Sequence, residues 1–170
     1  MNELSPDVRN KLEYYVALLS VQLAEHLPAG TKTLVDLGSG AGLPGLILAI
    51  ALPKIHVTLV ERDQRKCAFL IEAVRQLELM NVQIKNSDIA LCTGHFDVVT
   101  ARALASLSEL CTLAYPLCGV NSICLFPKGE NFASEVVEAS VAWDFVLDKL
   151  SSKTNSLSVI LALSHLKPQH

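Results

Sequence analysis

Short apolar runs alternate with longer amphipathic stretches along most of this chain. The short runs are rich in β-branched residues and end at glycines or charged residues, which is typical of buried strands. The longer stretches repeat apolar residues every three or four positions, as helices do. The pattern predicts strands at residues 33–37, 56–60, 82–85, 96–100 and 121–126. It predicts helices at residues 43–52, 64–79, 106–117 and 130–141.

The two ends of the chain depart from this alternation. Residues 4–27 keep apolar side chains at helical intervals and stop before Pro28, so they predict an N-terminal helix. Residues 144–149 and 157–163 are apolar runs separated by a short polar segment, which predicts an antiparallel hairpin. Parallel strands need crossover helices. We therefore expect an α/β fold with a mostly parallel sheet and a C-terminal antiparallel hairpin.

The composition fits one globular domain over residues 1–170, with a helical segment over about residues 1–30. The chain has 14 Lys and Arg against 17 Asp and Glu, so its net charge of −3 excludes a generally basic surface. Its most apolar stretch, residues 43–52, is shorter than the roughly 20 residues that cross a bilayer. Residues 1–10 lack the order of a secretory signal. We expect a cytoplasmic protein that contacts no membrane.

The cysteines and histidines give no metal or disulfide pattern. The five cysteines include no CxxC pair, which argues against a disulfide framework and a thiolate zinc site. No two of the five histidines have the i, i+4 spacing that places two imidazoles on one helical face. We expect reduced core thiols and no metal.

The most informative segment is the glycine-rich loop at residues 35–45, VDLGSGAGLPG, between the first strand and its helix. Its glycines permit positive φ, and the helix start offers unpaired N–H groups to a ligand. Counted from Gly38 the spacing is GxGxG, typical of loops that bind S-adenosyl-L-methionine. Counted from Gly40 it is GxGxxG, the dinucleotide spacing.

Two neighbouring residues favour S-adenosyl-L-methionine. Asp36 precedes the glycines, where a carboxylate receives an amino group directly or through water but repels a pyrophosphate. Pro44 removes an N–H that a pyrophosphate would use. The candidate cofactor residues of this loop are Asp36, Gly38, Ser39, Gly40, Gly42 and Leu43.

Two further strand ends supply candidate cofactor residues. Glu61 follows Gly42 by 19 positions, close to the roughly 20 expected of an acid that binds ribose hydroxyls. The alternative is a solvated surface charge. Asp88, Ile89 and Ala90 follow the third strand, where they are placed to flank an adenine. Asp88 equally suits the N-cap of a short helix.

The fourth strand and its continuation, residues 96–103, limit the chemistry. The chain has no Asn/Asp-Pro-Pro-Tyr/Phe motif for an exocyclic amine and no Pro-Cys dipeptide for attack at pyrimidine carbon. An already nucleophilic target such as guanine N7 remains, and proximity and alignment then supply much of the rate.

Basic residues supply the candidate catalytic groups. Arg102 leaves the sheet at its carboxyl edge, where a guanidinium holds a carboxylate or the O6/N7 edge of guanine, or else forms a surface salt bridge. Lys128 ends the fifth strand, where it meets a phosphate or guanine O6, or else forms a surface salt bridge. Two basic clusters are candidate contacts for RNA phosphates or solvated charges: Arg62, Arg65 and Lys66, and Lys149 and Lys153.

Three of these segments resemble one known family, the bacterial 16S ribosomal RNA guanine-N7 methyltransferases, also called glucose-inhibited division protein B. They are residues 35–45, residues 96–103 and Lys128-Gly129. The resemblance implies a monomeric Rossmann-like class I S-adenosyl-L-methionine-dependent enzyme that methylates a guanine of 16S ribosomal RNA in the small ribosomal subunit. It places around the cofactor Gly38, Leu43, Ile89, Ala90 and Arg102.

This chain departs from that family between the first helix and the first strand. It passes directly from Val21 to Thr33 without the family's Asn-Leu-Thr and His-Leu-Leu-Asp-Ser-like motifs. Cofactor binding is expected to survive this departure better than catalysis. One alternative is a cofactor-binding module without turnover. The other is an NAD-dependent oxidoreductase, which would normally need a separate substrate region that 170 residues hardly provide.

Overall fold

The computed structural model describes residues 18, 20–151 and 159–169, in which strands and helices alternate. The strands are β1 (Thr33–Leu37), β2 (His56–Glu61), β3 (Val82–Asn86), β4 (Phe96–Ala101), β5 (Cys118–Lys128), β6 (Trp143–Ser151) and β7 (Val159–Pro168). The helices are α1 (Gly45–Ala51), α2 (Gln64–Gln76), α3 (Leu107–Ala114) and α4 (Phe132–Ala139), with 3-10 turns at Ile89–Leu91 and Tyr115–Leu117. Each strand and helix predicted between residues 33 and 151 is present.

All seven strands belong to one sheet, in the order β3-β2-β1-β4-β5-β7-β6. Strands β1 to β5 run parallel, and β7 is antiparallel to both β5 and β6. The mostly parallel sheet and the C-terminal antiparallel hairpin are thus confirmed. Leu37 lies beside Val60 on one side and Ala101 on the other, so β1, β2 and β4 end at one edge of the sheet.

Apolar side chains cover both faces of this sheet. Leu34 packs in the core beneath α1 and α2, whereas Val35 and Leu37 pack in the core beneath α3 and α4. Consecutive β1 residues are therefore buried on opposite faces, as expected of a parallel sheet between two helical layers. Full burial of one such side chain contributes roughly 1.5–3 kcal/mol. This packing gives the strand ends a rigid base.

Several helix ends differ from the sequence prediction. Helix α2 ends at Gln76 rather than residue 79, because Glu78 adopts a φ of 53°. Leu79 continues the apolar pattern since it still packs against the core. Helix α1 begins at Gly45 because the preceding residues form the glycine loop. Most of the predicted N-terminal helix lies outside the described residues; the part that is described, residues 18 and 20–24, is helical.

The cysteines contribute to the core of the sheet. All five thiols are free; four are buried and that of Cys118 is half-buried.

Among the described residues no helix is long and apolar enough to span a membrane.

Candidate active site

A cleft of about 600 Å³ opens at the carboxyl edge of the parallel strands. Its walls come from the segments that follow β1, β2, β3 and β4, together with one face of α3. Because β2 and β4 flank β1 on opposite sides, the cleft lies where the strand order reverses, the usual ligand site of such sheets. It is lined by Gly38, Val60, Glu61, Arg62, Lys66, Ser87, Asp88, Ile89, Arg102, Ala103, Leu104, Ala105, Glu109, Thr112 and Leu113.

The glycine loop has a conformation that side chains rarely permit. Gly38, Gly40 and Gly42 have φ values of 64°, 57° and 89°, in the left-handed region. A Cβ on Gly38 would lie 2.7 Å from Leu104 Cδ1, so the loop also packs tightly against the segment after β4. Gly38 therefore presents its backbone to the cleft, as a cofactor loop requires.

The rest of the loop is held from beneath rather than exposed in the cleft. Ser39, which is buried, donates its hydroxyl to Asp36 O at 2.9 Å and its backbone N–H to Val60 O at 3.0 Å. Of the predicted loop residues only Gly38 lines the cleft, whereas the structure places Ser39, Gly40, Gly42 and Leu43 outside its lining. Their direct contact with the cofactor stays a prediction.

Glu61 lies in the floor of the cleft with only 7% of its surface exposed. Its Oε2 accepts a hydrogen bond from Gly40 N, and its Oε1 accepts one from Asp63 N, both at 2.9 Å. The alternative of a solvated surface charge is therefore wrong. Each carboxylate oxygen can accept a second hydrogen bond, so the predicted contact with a ribose diol fits this geometry.

Asp36 is fully buried beneath the loop and does not line the cleft. Its Oδ2 accepts a hydrogen bond from Gly45 N at 3.2 Å, and its Oδ1 has no partner within the described chain. Burial raises the pKa of Asp36 to about 7, although the Ser39 side chain, the Gly45 amide and the charge of Arg102 act in the opposite direction. The structure contradicts direct contact between Asp36 and a ligand amino group, whereas contact through water stays a prediction.

The raised pKa of Asp36 predicts a pH-dependent stability. Between its ordinary pKa of 3.8 and about 7 the unfolded carboxyl ionises while the folded one keeps its proton. The folded state then binds more protons, so this group lowers the free energy of unfolding as pH rises through that range. Asp36→Asn should remove this contribution. Urea denaturation of both proteins from pH 4 to 8 checks it, and parallel stability profiles would contradict it.

Asp88, in the segment after β3, caps a short helical turn and also borders the cleft. Asp88 Oδ1 accepts a hydrogen bond from Ala90 N at 2.9 Å and caps the 3-10 turn, while Ser87, Asp88 and Ile89 line the cleft. Ala90, whose amide donates to the cap, is not among the lining residues. A contact between Ala90 and the adenine therefore stays a prediction. Ile89 offers the apolar surface that an adenine face requires.

Arg102 follows β4 directly, lines the cleft and is exposed. It forms no ion pair or hydrogen bond within the described part of the chain, so the predicted alternative of a surface salt bridge is not observed. Its five N–H donors are available to an anionic or purine ligand. The next residue, Ala103, has a φ of 50°, which turns the chain towards Leu104 and the glycine loop.

Lys128 does not line the cleft, contrary to the prediction that it meets the substrate. Its Nζ donates hydrogen bonds to Ala105 O at 2.8 Å and to Glu135 Oε2 at 2.6 Å. Only 10% of its side chain is exposed. Two of its three donors are thus used inside the protein, and contact with a phosphate or guanine O6 is not available in this geometry.

The remaining basic residues divide between the cleft and other surfaces. Arg62 and Lys66 lie at its rim, whereas Arg65 lies outside it. The Lys149 ammonium lies 5.5 Å from the centre of the Phe132 ring, and Lys153 is outside the described residues.

One wall of the cleft was missed by the sequence predictions. Glu109, Thr112 and Leu113 project from α3 into the cleft. Their i, i+3, i+4 spacing places them on one helical face. That spacing was visible in the sequence, but it gave no sign that this face borders a ligand rather than the core.

The sheet order, the glycine loop and the buried acid at the end of β2 together define a class I S-adenosyl-L-methionine-dependent methyltransferase. Among solved structures, a glycopeptide N-methyltransferase, MtfA, complexed with S-adenosyl-L-methionine has the same fold. It superposes with a TM-score of 0.73 over 88% of this chain and 93% of that one, at 9% sequence identity.

The particular family follows from sequence comparison. The chain belongs to the rRNA small subunit methyltransferase G family (GidB), whose model matches residues 7–159. A ribosomal RNA small subunit methyltransferase G from Cereibacter sphaeroides is 42% identical over 151 residues, which cover 86% of this chain and 73% of that protein. One from Gluconobacter oxydans is 45% identical over 148 residues, covering 87% and 76%. The resemblance found in the sequence motifs is confirmed.

Proposed function

We propose that this protein transfers a methyl group from S-adenosyl-L-methionine to N7 of a guanine in 16S ribosomal RNA of the small ribosomal subunit. The observation that carries the proposal is the cleft beside the glycine loop in a chain of the methyltransferase G family. The comparisons give no support to an oxidoreductase or to a binding module without turnover. We propose further that it acts in the cytoplasm, as a single-domain monomer.

The residues around the cleft fit the cofactor. Gly38 offers backbone without a side chain, Glu61 offers free acceptor positions for a ribose diol, and Ile89 offers an apolar face for adenine. Arg102 offers a cation for the methionine carboxylate. When bound, the cofactor supplies an electrophilic methyl group.

The chain's own contribution to the reaction is then mainly orientation. Guanine N7 carries a lone pair and no proton, so the residues of the cleft need no general base and instead hold the purine in line with the methyl group. The guanidinium of Arg102 matches either the cofactor carboxylate or the O6/N7 edge of guanine. Arg62 and Lys66, at the rim, are placed to meet RNA phosphates.

A methylation assay tests this proposal. The purified protein is incubated with labelled S-adenosyl-L-methionine and either naked 16S ribosomal RNA or assembled small subunits. We expect one guanine to gain N7 methylation, mapped by cleavage at the modified base. Assembled subunits are included because a net charge of −3 gives the protein little general attraction to RNA. Cofactor binding without methylation of either substrate would contradict the proposal.

Substitution of Glu61 tests the ribose contact. Glu61→Gln keeps an acceptor for one of the two amides it binds, Gly40 N and Asp63 N, but loses the charge and one acceptor oxygen. We expect the affinity for S-adenosylhomocysteine to fall by about 1–3 kcal/mol, which calorimetric titration measures. Glu138→Gln, an exposed change on α4, is the matched control. Unchanged affinity in Glu61→Gln, or tighter binding of NAD by the wild type, would contradict the assignment.

A further inference from the structure

The segment of residues 102–105 forms a complete wall of the cleft, yet it belongs to no helix or strand. It holds Arg102 at one end and bends through Ala103, whose φ of 50° is unfavourable for a residue with a side chain. Leu104 packs over Gly38, where an added Cβ would lie 2.7 Å from Leu104 Cδ1. The position of Arg102 relative to the glycine loop therefore depends on what holds this segment in place.

The support comes from outside the cleft, from the end of β5 and from α4. Lys128 Nζ donates to the carbonyl of Ala105 at 2.8 Å, and Glu135 Oε2 accepts from Leu107 N at 2.8 Å. The two side chains also pair with each other at 2.6 Å. One ion pair thus fixes the last carbonyl of the segment and the first amide of α3.

The Lys128–Glu135 ion pair is largely shielded from solvent. Only 10% of the Lys128 side chain and 24% of the Glu135 side chain are exposed, so solvent screens the attraction less than at an open surface. Ser106 and Glu109 add a capping box at the same helix start. The segment is therefore held at its α3 end, while at its other end Arg102 continues directly from β4.

We propose that Lys128 and Glu135 are positioning residues, which fix the segment 102–105 against Gly38 and thereby aim Arg102 into the cleft. The inference rests on the methyl transfer proposed above. It replaces the sequence prediction that Lys128 contacts the target base. Displacement of a positioned group by about 1 Å is enough to lower turnover by roughly 100-fold, so the pair influences the reaction without touching the reactants.

A double-substitution experiment separates positioning from contact. Lys128→Met removes the ammonium but keeps a side chain of similar length. When kcat is measured well below the unfolding temperature of the variant, we expect it to fall by roughly 10- to 100-fold. Lys128→Arg should restore part of that loss. In an Arg102→Lys background, Lys128→Met should cost less than about 3-fold further, because both changes disable the same group. Lys54→Met, at an exposed site before β2, is the matched control.

The outcomes have distinct meanings. If the losses of Lys128→Met and Arg102→Lys multiply, Lys128 acts independently of Arg102 and the positioning proposal is overturned. If Lys128→Met lowers the unfolding temperature while kcat stays at the wild-type value, the pair only stabilises the fold and the proposal is again overturned.

Hydrogen–deuterium exchange gives a readout that does not depend on methyl transfer. Lys128→Met and Glu135→Gln should each raise exchange in the peptide that contains residues 102–107. In Lys54→Met, exchange in that peptide should equal the wild-type value. Glu135→Gln preserves the test if Lys128→Met fails to fold. If exchange rises in the variants but the wild-type protein transfers no methyl group, only the proposed activity is refuted. Unchanged exchange would refute the positioning role.

Discussion

Gly45→Ala is expected to lower the free energy of unfolding by about 3 kcal/mol. A Cβ at this position would lie 2.7 Å from Asp36 Oδ2, 2.8 Å from Asp36 Cβ, and closer still to Leu59 Cδ2. Both neighbours are fully buried in the sheet, so neither side chain can turn away into solvent. Overpacking of this kind typically costs 1–3 kcal/mol and occasionally more. The shift would also disturb the bond from Gly45 N to Asp36.

Urea denaturation at one pH measures the effect of Gly45→Ala, and Gly129→Ala is its control. Gly129 also follows a strand at the carboxyl edge of the sheet, but a Cβ there meets nothing within 4 Å. The control should therefore unfold like the wild type. Equal stability of Gly45→Ala and Gly129→Ala would show that α1 moves away from β1 without cost, contrary to the packing described above.

Arg102→Lys is expected to lower methyl transfer by roughly 100-fold while the fold persists. The substitution keeps a positive charge but loses the planar fork that matches a carboxylate or a purine edge. Arg102 forms no hydrogen bond or ion pair within the described residues, and lysine keeps the positive charge that acts on Asp36, so the unfolding temperature should stay unchanged. Steady-state kinetics combined with calorimetric titration of S-adenosylhomocysteine measures both consequences.

The division between kcat and cofactor affinity identifies what Arg102 contacts. A fall in kcat with unchanged affinity indicates the guanine, whereas parallel losses indicate the cofactor. Arg75→Lys is the matched control, because Arg75 pairs with Glu72 on exposed α2. Full activity of Arg102→Lys would remove Arg102 from the catalytic assignment and leave the family assignment intact.

The strands and helices around the sheet could be predicted because buried apolar residues recur with the spacing of a helix or of a strand. Consecutive apolar residues such as Leu34 and Val35 already indicate a strand covered on both faces. The end of α2 was placed too late because Leu79 packs against the core from a non-helical backbone. Periodicity reports burial, and burial continues beyond the helix.

Gly38 and Glu61 of the cleft lining could be predicted from the sequence, whereas the residues that support the cleft could not. A glycine spacing constrains the backbone locally, and the distance in sequence to Glu61 follows from the length of one βαβ unit. The roles of Asp36 and Lys128 depend on side-chain direction and on partners far along the chain. Glu135 lies on α4, and nothing in the local sequence of Lys128 indicates that this carboxylate folds back onto it.

The hydrogen bonds that hold the glycine loop have a consequence for the energetics of cofactor capture. The backbone amides of Ser39 and Gly40 are bound by β2, through Val60 O and the Glu61 carboxylate, so the shape of the loop is set by the sheet itself. A ligand that enters such a preorganised loop does not have to order it, and less of its interaction energy is lost to conformational entropy. The Glu61 carboxylate, for which we propose the ribose contact, thereby also fixes the shape of the loop before a ligand binds.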